Sequence, residues 1–303
     1  MLGTETAQSA PRPRAPFTLE ELGRPIRGPR ALTDDRRRFW HLTYNIARNE
    51  WKLRFFGSVL GYVWQLMRPL LFFSVLYVFF TKVGHVNSST APGSEKYGIQ
   101  LLGSIVLFTF FAEATAGAVR SVVDRETFVR KIQFPRMAIP LAVVLVASFN
   151  LALNLLVVLG FALATGVHPM LSWLEVPLIL IVLAVFAAGV AMLLSAMFVY
   201  FRDIQPIWDV VSQVLFYASP VILTVATIKE RLGTTWLHIY MLNPLAVTLQ
   251  QFRHAVVTHD TPSAAAAIGG YAELLAPLAI VVAVFVLGFY VFNRTAPYVA
   301  ENL

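Results

Sequence analysis

The chain has 303 residues and no cysteine. A disulfide framework, a thiolate metal site and a dithiol redox motif are therefore excluded. Charge is scarce too: charged residues make up 14% of the chain and hydrophobic ones 57%, whereas a soluble domain carries about 25% charged residues. Catalytic signatures are also missing. There is no GxxxxGK[ST] phosphate loop, no HExxH helix and no GxSxG elbow, the patterns that phosphate binding, zinc hydrolysis and serine hydrolysis use. The nearest acidic pair, Asp34 and Asp35, suits a helix cap better than a metal held against a sugar diphosphate. His254, His259 and Asp260 match no standard ligand spacing. The expectation is a chain with no catalytic residue, metal or cofactor of its own, so work against a gradient needs energy from a partner.

What the chain does have is long apolar runs. Six candidates cover about Val59 to Phe80, Ile99 to Val119, Ala138 to Thr165, Val176 to Phe201, Ile204 to Ile228 and Leu274 to Phe292. As helices rising about 1.5 Å per residue, such runs cross a hydrocarbon core of about 30 Å. An all-α integral membrane protein with six spans is expected. Of the 24 Lys and Arg residues, 18 fall before the first run, in the second and fourth connections and in the tail; five fall in the other connections, and Arg68 lies inside a run. By the positive-inside rule both termini are cytoplasmic, which an even number of spans also requires. The net charge of +7 then faces anionic lipid rather than nucleic acid. The first apolar run follows a long polar segment and is long enough to remain as a span, so no cleavable leader is expected.

Residues 1–32 are rich in Pro, Arg and Gly with no hydrophobic period and read as a flexible basic cytoplasmic arm. Residues 33–57 begin with Thr33, Asp34 and Asp35, which suit a helix start. At 100° per residue, Arg37, His41, Asn45, Arg48 and Lys52 share one face; Trp40, Tyr44, Ala47 and Trp51 form an adjacent aromatic stripe, and Phe39, Leu42, Ile46 and Leu53 a second apolar one. This pattern suits an amphipathic helix in the cytoplasmic interface, or an ordinary packed cytoplasmic helix. Residues 58–303 form the six-span domain.

Within that domain a few residues carry chemistry. Arg68 either snorkels to headgroup phosphates or faces a polar conduit. Pro69 removes a helix hydrogen bond, so a kink is expected there. Phe72, Tyr77 and their aromatic neighbours either pack, face lipid or offer ring faces to sugars. Glu113 is the main ionisable group of the second span and must be protonated, paired or facing water. The second connection places Asp124, Glu126 and Phe128 among Arg120, Arg125, Arg130 and Lys131, which fits a short amphipathic helix with an apolar edge for a partner's groove or a solvated loop of anchors. Residues from about 230 to 260 hold no second pair of spans and suit external or re-entrant helices.

These residues resemble a known family, the membrane permeases of ABC-2-type exporters of O-antigen, teichoic acid and related cell-wall polysaccharides. The resemblance covers nearly everything after residue 36. It rests on LGYVWQLMRPLL (Leu60–Leu71), KIQFPR (Lys131–Arg136), YFRDI (Tyr200–Ile204), the Ser219-Pro220 pair and Asn243-Pro244. Arg68 departs from it, since such permeases commonly carry a less basic residue there, and the arm 1–32 has no clear counterpart. The resemblance implies a homodimer of this chain with two separate ATPase subunits that bind ATP and Mg, in the inner or plasma membrane, exporting a lipid-linked glycan such as an O-antigen, a teichoic acid or a galactan. It also implies roles. The helix 33–57 becomes a gate helix whose Arg48, Trp51, Lys52 and Arg54 meet the lipid anchor. Residues from about 122 to 131, with Asp124, Arg125, Glu126, Phe128 and Arg130, become the helix that docks on the ATPase. Trp64, Arg68, Phe72, Tyr77, Glu113, Phe216 and Tyr217 line the conduit. The alternatives are an ABC-2 permease for a drug or lipid, a polyprenyl-lipid glycosyl or phosphoryl transferase, which lacks the acidic site it would need, and a channel or secondary transporter.

Overall fold

The computed structural model describes residues 36–55, 59–83, 96–126, 135–257 and 261–296. Among them the chain is all helical. The elements are α1 (Arg36–Phe55), α2 (Val59–Val78, widening into a π-helical turn at Phe79–Val83), α3 (Tyr97–Val119), α4 (Ala138–Ala164), α5 (Val176–Tyr200), α6 (Ile204–Tyr217), α7 (Val225–Leu232), α8 (Thr234–Met241), α9 (Pro244–Val256), α10 (Ala264–Ile268) and α11 (Leu275–Thr295). Among the described residues, five helices are long and apolar enough to cross a membrane, namely α2, α3, α4, α5 with its preceding 3₁₀ turn, and α11. The protein is a multi-pass membrane protein.

The fifth expected run, 204–228, is not one helix. α6 stops at Tyr217 after 14 residues, about 21 Å and short of the roughly 30 Å of a bilayer core. The backbone turns through 218–224 before α7 begins at Val225. Carbonyls freed by such a break need partners where water is absent. They find them on α9, whose Arg253 is 1% exposed. Its Nη2 donates to the carbonyls of Pro220 and Val221 (3.0 Å to the latter), Nη1 donates to Leu223 at 3.3 Å, and Nε donates to Ser104 Oγ on α3 at 3.0 Å. Asn243 adds Nδ2 bonds to Ala218 O (3.3 Å) and Ser219 Oγ (3.0 Å) while its Oδ1 caps α9 through Leu245 N–H at 3.0 Å. Tyr97 Oη donates to Ile222 O at 3.0 Å. Burial pushes the Arg253 guanidinium down to about 10 and raises the Tyr240 phenol beside it; the guanidinium stays charged at neutral pH.

α3 and α5 form the centre of the bundle. Phe111 and Phe186 stack with centroids 5.4 Å apart, and α3 is buried along most of its length. α5 and α11 cross at two glycines. A Cβ on Gly288 would collide with the carbonyl oxygen of Gly189, and one on Gly189 would lie 2.7 Å from Phe285 Cα, so only hydrogen at both positions permits this approach. Where lipid tails are as apolar as leucine, such close backbone packing is a main source of helix association. α3 and Phe252 of α9 meet the same way at Gly103, where a Cβ would lie 2.5 Å from the ring.

α1 packs lengthwise on the first half of α4. Phe39 joins the cluster of Met137, Ala138 and Ile139, Ala47 joins Ala142 and Val146, and Trp51 Nε1 donates to Asn150 Oδ1 at 3.0 Å. The buried stripe is Phe39, Thr43 and Ala47, four residues apart as one helix face requires. Trp40, Tyr44 and Leu53 stay exposed. Leu53 thus leaves the stripe that the wheel assigns it to, because α1 is rotated to bring Ala47 rather than Leu53 against α4.

Candidate functional site

α2 and α6 lie against one side of α3. Trp208 Nε1 on α6 donates to Thr115 Oγ1 on α3 at 3.1 Å, and Phe216 meets Phe108 edge-on at 5.0 Å. Phe72 of α2 reaches the same ring, 5.7 Å from Phe216. α6 has no fully buried residue, and α2 is mostly exposed, with Phe73 and Pro69 among its few buried positions. α2 runs unbroken through Pro69. Between α2, α3, α4 and α6 opens a cavity of about 1030 Å³, at the upper end of the range of about 300–1,000 Å³ for small-molecule sites.

Seven of the expected residues meet in its wall: Arg54, Trp64, Arg68, Phe72, Glu113, Phe216 and Tyr217. Gln65, Asn154, Asp209, Ser212 and Gln213 add polar groups. The wall therefore combines aromatic faces with amide and hydroxyl groups, the two cations Arg54 and Arg68 and the two carboxylates Glu113 and Asp209, so it offers ring faces and hydrogen bonds to hydroxylated rings and guanidinium groups to an anion. Tyr77 is elsewhere. It stacks on Phe73 at 5.4 Å, and its ring edge lies against Gly98, so it packs α2 onto the start of α3.

Glu113 is held from two sides. Its Oε1 accepts from Arg54 Nη1 of α1 and from Asn150 Nδ2 of α4, the latter at 2.8 Å. Asn150 in turn accepts from Trp51. The carboxylate that the sequence marks as too costly to stand alone is thus paired, and α1 is tied through it to α3 and α4. Trp51 faces inward, its ring 6.0 Å from Phe149, while Arg48 and Lys52 are exposed.

In the second connection, 120–125 is a series of turns with bonds from Asp124 N–H to Arg120 O and from Glu126 N–H to Val123 O. A helix from 122 is therefore not formed over 122–125; Glu126 is the first helical residue, and Phe128 and Arg130 lie outside the described residues. Val122 is buried, Asp124 is exposed and Glu126 is half-buried. Arg125 turns back and pairs with Glu50 of α1, and burial lowers its pKa. Among the described residues no cluster of His, Asp or Glu fits a metal.

Sequence reasoning missed Arg253, Asn150 and the double role of Asn243. Asn150 and Asn154 share a helix face four residues apart in an otherwise apolar run, which is the signal that marks them. Arg253 carries no local signal, since its carbonyl partners lie some thirty residues back in the chain.

Comparison with known proteins supplies the context. The family model described as ABC-2 type transporter matches residues 41–257. The chain is 28% identical over 209 residues to an O-antigen export system permease protein RfbA of Klebsiella pneumoniae, covering 69% of this chain and 77% of that protein. It is 26% identical over 223 residues to the protein of the same name from Myxococcus xanthus, covering 74% and 83%.

Proposed function

This chain belongs to the ABC-2 type transporter family, and from that membership we propose that it is the permease subunit of an ATP-driven exporter that moves a lipid-linked polysaccharide out of the cytoplasm. The observation that carries the reading is the cavity wall, with Trp64, Phe72, Phe216 and Tyr217 alongside Gln65, Ser212 and Gln213. Ring faces give sugars an apolar platform and amides exchange hydrogen bonds with hydroxyls, so a polymer can slide without a single deep well. The names of the similar permeases support the same cargo class.

Two copies of the chain form the transporter, and two ATPase subunits bind ATP and Mg and supply the energy. The exposed faces of α2 and α6, including Val63, Leu71, Val75, Val210 and Val214, are the surfaces that meet the second copy and close the cavity into a conduit. α6 with the partly buried turn 218–224 completes a sixth, broken crossing. Both termini then lie in the cytoplasm, in line with the distribution of cations, and α1 is the gate helix at the cytoplasmic entrance. Arg54 and Arg68 on the cavity wall meet the diphosphate of the lipid anchor, and the turns around Asp124 face the ATPase. Chemistry is done only by the partner.

The test is co-purification of the tagged chain from its native membrane. A nucleotide-binding subunit that travels with it, and whose ATP hydrolysis rises on adding lipid-linked glycan, supports the reading. A chain that comes alone and inert in several detergents overturns it.

A further inference from the structure

Glu113 does not merely neutralise Arg54. Arg54 is on α1, Glu113 on α3 and Asn150 on α4, so one carboxylate oxygen joins three helices at the edge of the cavity. The pair also reaches water: the Arg54 and Glu113 side chains are 48% and 24% exposed. An ion pair in that setting contributes little net stability, which makes it exchangeable. Arg54 and Arg68 both line the cavity that Glu113 borders, and a guanidinium binds phosphate oxygens in the same forked geometry as it binds a carboxylate.

We infer that Glu113 is an internal counter-ion that latches α1 shut, and that a phosphate ester entering the cavity takes Arg54 away from it and so releases α1. The inference rests on the exporter reading for the source of the phosphate, a lipid diphosphate, but the latch itself is a property of this chain. The rest of α1 is held differently at its two ends. Phe39, Thr43 and Ala47 are buried, whereas beyond Ala47 the attachments are mainly polar, Glu50 to Arg125, Trp51 to Asn150 and Arg54 to Glu113, the Trp51 ring on Phe149 being the last apolar contact before Arg54. The latched end is the one that moves, and the apolar end is its anchor. Exchange of one anion for another at Arg54 changes the balance between two states of this end only by the difference in affinity, so substrate is a better trigger than free phosphate if its lipid also gains contacts.

Because the chain has no cysteine, spin labels can be placed on Leu53→Cys and Ala116→Cys in the full-length protein in nanodiscs and their separation measured. The probe is farnesyl diphosphate. Wild type is expected to show one short distance that lengthens in part on adding probe. Glu113→Gln is expected to populate the longer distance without probe and to need several-fold less probe for half the full response. The swap Arg54→Glu with Glu113→Arg is expected to restore the short distance and abolish the response. A Glu113→Gln protein with wild-type distances and response overturns the latch, and so does a response to farnesol equal to that to the diphosphate. Inorganic diphosphate acting as strongly as the probe supports the exchange and assigns it to phosphate alone. If wild type exports glycan while Glu113→Gln stays closed, only the latch is lost; if wild type ignores every glycan lipid while Glu113→Gln opens, only the exporter reading is.

Discussion

Arg253 of α9 donates to the carbonyl of Val221 at 3.0 Å, and this bond, with its neighbours, lets the chain break a helix inside an apolar run. The guanidinium satisfies three carbonyls and a serine hydroxyl at once. Truncation to alanine leaves them without donors at a cost of about 1–3 kcal/mol for each group that finds no replacement. Arg253→Ala is expected to lower the thermal midpoint of the detergent-solubilised protein by many degrees, and Arg253→Lys to recover only part, since an ammonium cannot span the same fork. Thermal denaturation followed by size-exclusion chromatography measures both. Equal midpoints for Arg253→Ala and wild type would remove Arg253 as the organiser of the turn.

Two glycine substitutions should act in opposite directions. Gly288→Ala drives a methyl into the Gly189 carbonyl, and overpacking of this kind costs about 1–3 kcal/mol. At Gly160 in α4 an added methyl would meet no atom within 4 Å, so Gly160→Ala gains up to about 1 kcal/mol of helix propensity. The pair is compared by the same thermal assay.

Phe216 touches both Phe72 and Phe108 yet is not part of the buried core. Phe216→Ala is expected to leave the fold intact and to reduce glycan-stimulated ATP hydrolysis in the purified complex. Loss of an aromatic contact worth about 0.5–1.5 kcal/mol weakens glycan binding by roughly 2- to 10-fold. Trp64→Ala should behave alike, whereas Tyr77→Ala should affect stability first, because Tyr77 packs on Phe73 and Gly98.

The Arg125 and Glu50 pair links α1 to the turns after α3. Arg125→Glu places two carboxylates together and is expected to cut transport per ATP hydrolysed. Adding Glu50→Arg should restore it, and the double-mutant cycle gives the coupling between the two sites. A swap that restores nothing would mean that Arg125 acts on the ATPase side instead.

The spans are legible in the sequence because the bilayer sets length and composition together, and those survive in a bare chain of letters. α3, α4, α5 and α11 fall within a few residues of the runs read from it. The stop at Tyr217 is only partly legible: Pro206 and Pro220 announce a kink in the fifth run, but Ala218, Val221, Ile222 and Leu223 continue its apolar character, and the donors from α9 that satisfy the freed carbonyls carry no local pattern. Glu113 stands out because a carboxylate in an apolar run demands an explanation, although its partner on α1 comes only from the fold. Asn150 carries no charge, and only its spacing from Asn154 in an apolar run marks it. That Tyr77 packs on Phe73 and Gly98 and not in the cavity wall has the same origin, since periodicity gives faces but not which neighbour each face meets.

The cavity wall is shared between the central helix α3, with α4 beside it, and two helices that give the frame little, α2 and α6. α5 holds α3 through stacked rings and α11 through glycine contacts, while α2 and α6 contribute exposed side chains to the cavity and little to the interior. Substitutions on the α2 and α6 side of the wall are therefore expected to change the chemistry of the cavity at little cost to the fold, unlike those at Phe108 or Glu113 of α3. A lineage of such permeases can change its cargo by drift in α2 and α6 alone, each intermediate remaining stable enough to be kept by selection.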